Sequence, residues 1–188
     1  MSIAIFASGS GTNFESIVNQ SRKDNWPKSV SLLLTDREGA KVLDRAERLD
    51  VAHYLVSPKS FSNKEAYESA ILEVLEEKKI EWIILAGYMR LIGPTLLTRY
   101  KDRIVNIHPS LLPAFVGKDA IERAFEYPVK VSGVTIHFVD EGMDTGPIIA
   151  QVPVTIETED TLTTFTQKIQ AVEHKLYPEV VRQLVTGG

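Results

Sequence analysis

The chain has 188 residues, 44% of them hydrophobic and 24% charged, with a formal net charge of −4. That length suits one hydrophobic core, read as a single domain over residues 1–188, and the acidic balance argues against a protein that lives by gripping nucleic acid, where affinity comes largely from Lys and Arg on phosphates. The absence of cysteine excludes thiol catalysis, disulfides and cysteine metal sites, and no run approaches the roughly 20 apolar residues of a membrane span.

In chain order, Ile3 to Ala7 reads as a buried strand that breaks at Ser8-Gly9-Ser10-Gly11. Its opening Met1 to Phe6 has no basic region, so it is a strand and not a signal peptide, and the expectation is a cytoplasmic protein. Asn13 to Gln20 reads as a helix with Phe14, Ile17 and Val18 on one face. Val30 to Leu34 is a second strand, Ala40 to Leu49 an amphipathic helix and Ala52 to Val56 a short strand. Asn63 to Lys79 is helical, with Ala66, Ala70, Ile71, Val74 and Leu75 at helical spacing. Trp82 to Ala86 has the continuous apolar character of a central parallel strand. Ile92 to Tyr100 carries Pro94 near a helix start, Ile104 to Ile107 is a strand, and Lys118 to Glu126 is helical. Val131 to Val139 and Ile148 to Ile156 then read as a hairpin, and Thr161 to Val185 as a closing helix with a possible kink at Pro178. Only Thr186-Gly187-Gly188 looks loose. Strand and helix alternate through the first two-thirds. The expected architecture is therefore α/β: a doubly wound, mostly parallel Rossmann-like sheet with a C-terminal antiparallel hairpin and a final helix.

The residues with the most chemistry are Asn106, His108 and Asp144. The first two close the strand that starts at Ile104. Positions i and i+2 of a strand share a side, and the carboxyl ends of such strands face the ligand crevice. An amide and an imidazole aimed at one point would stabilise a developing oxyanion, and a nearby carboxylate would favour the charged imidazole. The prolines of Pro109-Ser110-Leu111-Leu112-Pro113 stiffen the chain as it leaves this strand. The competing reading, a satisfied core histidine and a turn-capping asparagine, weighs about equally on residue chemistry alone.

Ser8 to Asn13 joins a strand to a helix N-terminus, a place suited to a phosphate. It lacks the Gly-Lys-Ser/Thr ending of a phosphate-binding P-loop and, with Phe14, the third glycine of a dinucleotide fingerprint. Without that fingerprint, Asp36 reads as a turn or cap residue beside Arg37. Gly87 to Ile92 lies in crevice territory, where Arg90 can pair with a carboxylate or stack on a flat ring; alone, an ordinary strand-to-helix loop is the better reading. Asp140, Glu141 and Asp144 read first as a solvated acidic turn, and their spacing to His137 matches no zinc or calcium pattern, so no metal is expected. Glu173-His174 reads first as part of an exposed helix face.

Taken together, Ser8-Gly9-Ser10-Gly11-Thr12-Asn13, Leu85-Ala86-Gly87-Tyr88-Met89-Arg90, Val105-Asn106-Ile107-His108-Pro109-Ser110-Leu111-Leu112-Pro113, Gly133 to Val139, Asp144-Thr145-Gly146-Pro147-Ile148 and Glu173-His174 resemble the phosphoribosylglycinamide formyltransferase family. These are the folate-dependent glycinamide ribonucleotide transformylases, and the segments run across nearly the whole chain in the family's order. The resemblance implies the formyltransferase fold and formyl transfer from 10-formyltetrahydrofolate, as co-substrate, to the amine of phosphoribosylglycinamide. It implies a catalytic trio of Asn106, His108 and Asp144, and a ribonucleotide site of Gly11, Thr12, Asn13, Gln170 and Glu173. It implies folate contacts by Lys64, Met89, Arg90, Leu91, Ile92, Asn106, Asp140, Glu141, Gly142 and Met143. Partners would be small molecules only, with no nucleic acid and no membrane, in a monomer or homodimer.

Two departures stand out. Lys64 occupies a position that is often Arg in the family, which keeps the charge and loses the planar fork. Val116 replaces the second proline of the family's Pro-x-x-Pro-Gly, which should loosen the loop beside the catalytic strand. The extra domains of a formyltetrahydrofolate hydrolase or a methionyl-tRNA formyltransferase are not expected here.

Overall fold

A computed structural model describes residues 2–187; the expected looseness at Gly188 falls outside them. The elements are β1 (Ser2–Phe6), α1 (Thr12–Lys23), β2 (Ser29–Thr35), α2 (Val42–Arg48), β3 (Ala52–Leu55), α3 (Lys64–Glu77), β4 (Ile80–Leu85), α4 (Pro94–Arg99), β5 (Ile104–His108), α5 (Ala120–Glu126), β6 (Val131–Phe138), β7 (Ile148–Thr155) and α6 (Leu162–Thr186). A single 3₁₀ turn at Pro58–Ser60, which no sequence pattern announces, precedes α3.

The strands form one seven-stranded sheet in the order β3-β2-β1-β4-β5-β6-β7. The pairs from β3 through β5 are parallel, and β6 and β7 add on antiparallel. The expected doubly wound sheet with a terminal hairpin is what forms. Alternation along β1 shows why both faces are covered: Ile3 and Ile5 pack toward α1, α2, α5 and α6, while Ala4 and Phe6 pack toward α3 and α4. Chain order reverses at β1, whose neighbours are β2 and β4, and the crevice opens beyond the carboxyl ends of these strands.

The helix ends obey side-chain chemistry. The Asn63 side chain accepts the Ala66 amide at the start of α3, and Thr161 and Thr164 form a capping box on α6. Helix α2 starts two residues later than expected because its first turn is set by the backbone bond from Val42 N–H to the Gly9 carbonyl, 3.1 Å. Helix α6 continues through Pro178. The proline supplies no N–H to the carbonyl four residues earlier, and the Ser16 hydroxyl of α1 donates to that His174 carbonyl instead, at 2.7 Å. Buried Tyr177 points its hydroxyl at the Leu85 and Val105 carbonyls, 2.8 and 3.1 Å away. This fastens α6 to the end of β4 and the start of β5. No helix among the described residues is long and apolar enough to cross a membrane.

Candidate active site

A cavity of about 410 Å³ sits in the crevice, walled by the loops after β1, β4, β5 and β6 and by one face of α6. Each wall can be traced to its sequence. The loop after β1 turns through Gly11, which has φ +75 and caps α1. A Cβ there would stand 2.3 Å from Val42 Cγ2, so only glycine lets α2 pack this close. The Arg45 guanidinium holds the Ser10 carbonyl at 2.7 Å, and Gly11, Thr12 and Asn13 at the start of α1 line the cavity. Asn13 donates to Glu173 on α6 at 3.1 Å, and its own Oδ1 is buried without a hydrogen-bond partner among the described residues.

Glu173 is not on an exposed face, contrary to the first reading of Glu173-His174. It turns into the cavity, and burial raises its carboxyl above the ordinary range although the Asn13 bond pulls the other way. Gln170, one turn earlier, also lines the cavity.

At the opposite wall, the end of β5 presents Asn106 and His108 to the same space. The antiparallel register sets Asn106 opposite His137 of β6. Asn106 Nδ2 lies 3.2 Å from His137 Nε2 and 3.4 Å from Asp144 Oδ1. Asp144, in the left-handed region at φ +57, stands with Oδ2 3.4 Å from His108 Nδ1 and Oδ1 3.6 Å from His137 Nε2. Its Oδ2 also accepts the Gly117 amide at 2.9 Å. Burial alone would raise the Asp144 carboxyl, but His137, the Gly117 amide and the charge of His108 together hold it below the ordinary carboxylate range. His108 Nε2 lies 2.9 Å from the Phe115 carbonyl. Each ring nitrogen of His108 thus lies near an acceptor oxygen, one on Asp144 and one on Phe115.

The sequence offers His137 only as a distant metal candidate; in the fold it is a full member of the cluster. Its Nδ1 meets the Phe138 carbonyl at 2.8 Å, which turns Nε2 toward Asn106 and Asp144. The signal is the β5–β6 register, which becomes readable only once those strands are known to pair. Among the described residues no grouping of three or more His, Cys, Asp or Glu side chains is arranged to hold a metal ion.

The remaining sequence candidates divide. Met89, Arg90, Leu91, Ile92, Asp140, Gly142 and Met143 all line the cavity. Met89 and Leu91 are half exposed, while Ile92 is buried in the core behind them. Asp140 spends its Oδ1 on the Gly142 amide and the Thr145 hydroxyl, at 3.0 and 2.7 Å, and so shapes its own loop. Lys64 and Glu141 are exposed and stand outside the cavity lining. The loop carrying Val116 is tied down by Arg123, which donates to the Val116 and Lys118 carbonyls at 2.7 and 3.2 Å.

Asp36 departs most plainly from its sequence reading. It caps no turn: its side chain is 2% exposed and accepts from Arg90 Nε at 2.7 Å and from the Ser8 hydroxyl at 2.5 Å.

Comparison with known proteins agrees with this geometry. The family model described as formyl transferase matches residues 1–181. The chain is 54% identical over 182 residues to the phosphoribosylglycinamide formyltransferase of Bacillus subtilis (strain 168), covering 97% of this chain and 93% of that one. It is 36% identical over 186 residues to the human trifunctional purine biosynthetic protein adenosine-3, covering 99% of this chain and 18% of that much longer protein. Among solved structures, the phosphoribosylglycinamide formyltransferase of Bacillus halodurans superimposes with a TM-score of 0.95 at 57% identity, over 98% of this chain and 95% of that one.

Proposed function

The chain belongs to the formyl transferase family, and from that membership we propose that its cavity holds 10-formyltetrahydrofolate and phosphoribosylglycinamide side by side and passes the formyl group between them. It is an enzyme of the phosphoribosylglycinamide formyltransferase kind, acting in purine biosynthesis. The observation that carries the finer reading is the cluster of Asn106, His108, His137 and Asp144 at one end of a cavity whose other end is a glycine-turned helix N-terminus.

The ribonucleotide's phosphate fits the amides at Gly11, Thr12 and Asn13, where backbone N–H groups and the helix dipole favour an anion. Gln170 and Glu173 face the same end and suit its hydroxyl and amine groups. The flat ring of the folate fits between the Met89–Ile92 wall and the loop from Asp140 to Met143. In this arrangement the neutral glycinamide amine attacks the formyl carbon on N10. A carbon–nitrogen bond forms, and the carbonyl oxygen takes the electron pair as an oxyanion. The Asn106 amide and the protonated His108 donate to that oxygen; the His108 N–H now spent on the Phe115 carbonyl is the one available to turn toward it. Asp144 stands opposite the His108 ring and assists transfer of the proton from the attacking amine to N10. Collapse of the intermediate then expels tetrahydrofolate. The residues act without any covalent enzyme intermediate, and alignment of two bound substrates supplies much of the acceleration.

The test is to mix the purified protein with both substrates and measure tetrahydrofolate release with and without the ribonucleotide. Release that depends on the ribonucleotide is the expected result. Equal release without it would replace this reading with hydrolysis of the formyl donor, and no release in either case would overturn the reading.

A further inference from the structure

Asp36 belongs to no group used in the reaction, yet it is a nearly fully buried carboxylate directly behind the cavity wall. Burying a carboxylate is costly unless its lone pairs are met, and here they are met by groups that shape the site. One oxygen takes the Nε–H of Arg90, a cavity-lining side chain that remains 43% exposed and lies 6.0 Å over the Tyr67 ring. The other takes the Ser8 hydroxyl, which in turn accepts the Met89 amide at 3.0 Å. The Ser8 amide donates to the Gly87 carbonyl at 3.1 Å, and the Tyr88 hydroxyl meets that of Tyr67 at 2.6 Å. A single carboxylate at the end of β2 thus sets two consecutive residues of the wall after β4.

We propose that Asp36 is a positioning residue for the formyl-donor side of the cavity, fixing Arg90 directly and the Met89 amide through Ser8. The inference rests on the reading that the Met89–Ile92 wall receives the folate. The phosphate-facing loop is held by other contacts, namely Val42 to the Gly9 carbonyl, Arg45 to the Ser10 carbonyl and Asn13 to Glu173, so the two substrates should feel Asp36 unequally. An asparagine is nearly isosteric but carries one acceptor oxygen in place of two. In Asp36→Asn either Arg90 or Ser8 must face an amide N–H.

The experiment compares Asp36→Asn and Ser8→Ala with the unaltered protein in steady-state kinetics, thermal melting and direct titration with tetrahydrofolate. The expected result for Asp36→Asn is a KM for 10-formyltetrahydrofolate and a Kd for tetrahydrofolate both raised about tenfold, the scale of one lost charge-assisted hydrogen bond, with kcat and the KM for phosphoribosylglycinamide within about twofold. Ser8→Ala, which spares the Arg90 contact, should raise the same two constants by a smaller factor. Equal rises in both substrates' KM, or a lowered Tm with unchanged constants, would make Asp36 merely structural and overturn the proposal. If the unaltered protein shows no formyl transfer, the functional reading fails by itself, and the tetrahydrofolate titration still decides the role of Asp36; absence of folate binding to the unaltered protein would overturn both.

Discussion

Asp36, buried, and Asp144, partly buried, are two carboxylates at the crevice, and they differ in what stands opposite them. Asp36 faces a guanidinium and a hydroxyl, partners that keep their protons at any physiological pH. Asp144 faces two imidazoles and a backbone amide, and an imidazole nitrogen can either donate or accept where a guanidinium only donates. The first arrangement is fit to hold a shape and the second to move a proton. The geometry echoes this: the Asp36 contacts are short, 2.5 and 2.7 Å, while the Asp144–imidazole contacts are longer, 3.4 and 3.6 Å.

The contrast breaks most sharply at the donors around Asp144. Asn106→Ala and His108→Ala should each lower kcat on the order of 10²–10³, the range for losing one oxyanion donor, with Tm little changed. Turnover near that of the unaltered protein in either variant would remove the oxyanion role and leave the cluster as scaffold. Asp144→Asn comes next. It should lower kcat by about 10² and displace the pH–rate profile, because the charge opposite His108 is gone. The Asp144 carboxyl lies below the ordinary range in the folded state, so its contribution to stability is present above the unfolded carboxyl value and is lost as pH falls through the folded one. The asparagine variant should therefore show a shallower loss of Tm on acidification. An unmoved rate profile would show that Asp144 does not couple to His108.

Much of the fold and half of the site are legible in the sequence because they depend on short-range pattern. Strand alternation marks the sheet, the Pro94 and Asn63 positions mark helix starts, and the two-residue spacing of Asn106 and His108 places both at one strand end. The hidden parts depend on pairing across the fold. Asp36 lies 54 residues from Arg90 and 28 from Ser8, so nothing local distinguishes it from an ordinary turn aspartate. His137 becomes a neighbour of Asn106 only through the antiparallel β5–β6 register. Glu173 sits in a stretch of α6 where charged residues usually face water, and only the packing of α1 against α6 through Asn13 and Ser16 turns it inward.

Glu173 sharpens the contrast at the smallest scale, since its burial works in the opposite sense to that of Asp144. Its carboxyl is raised in the folded state, so the folded protein holds the proton more tightly than the unfolded chain does. Stability then falls as pH rises from the unfolded carboxyl value through the folded one, and levels off above it. Glu173→Gln removes that penalty while its amide oxygen can still accept from Asn13. The ligand-free variant should match the unaltered protein in Tm below the unfolded carboxyl value and exceed it at neutral pH. At the same time its KM for phosphoribosylglycinamide should rise, since the charge is lost from the ribonucleotide end of the cavity. A higher neutral Tm with a weaker ribonucleotide site would mark Glu173 as a group kept in an unfavourable setting for binding. A lower Tm at every pH would instead make the Asn13–Glu173 bond a structural tie between α1 and α6.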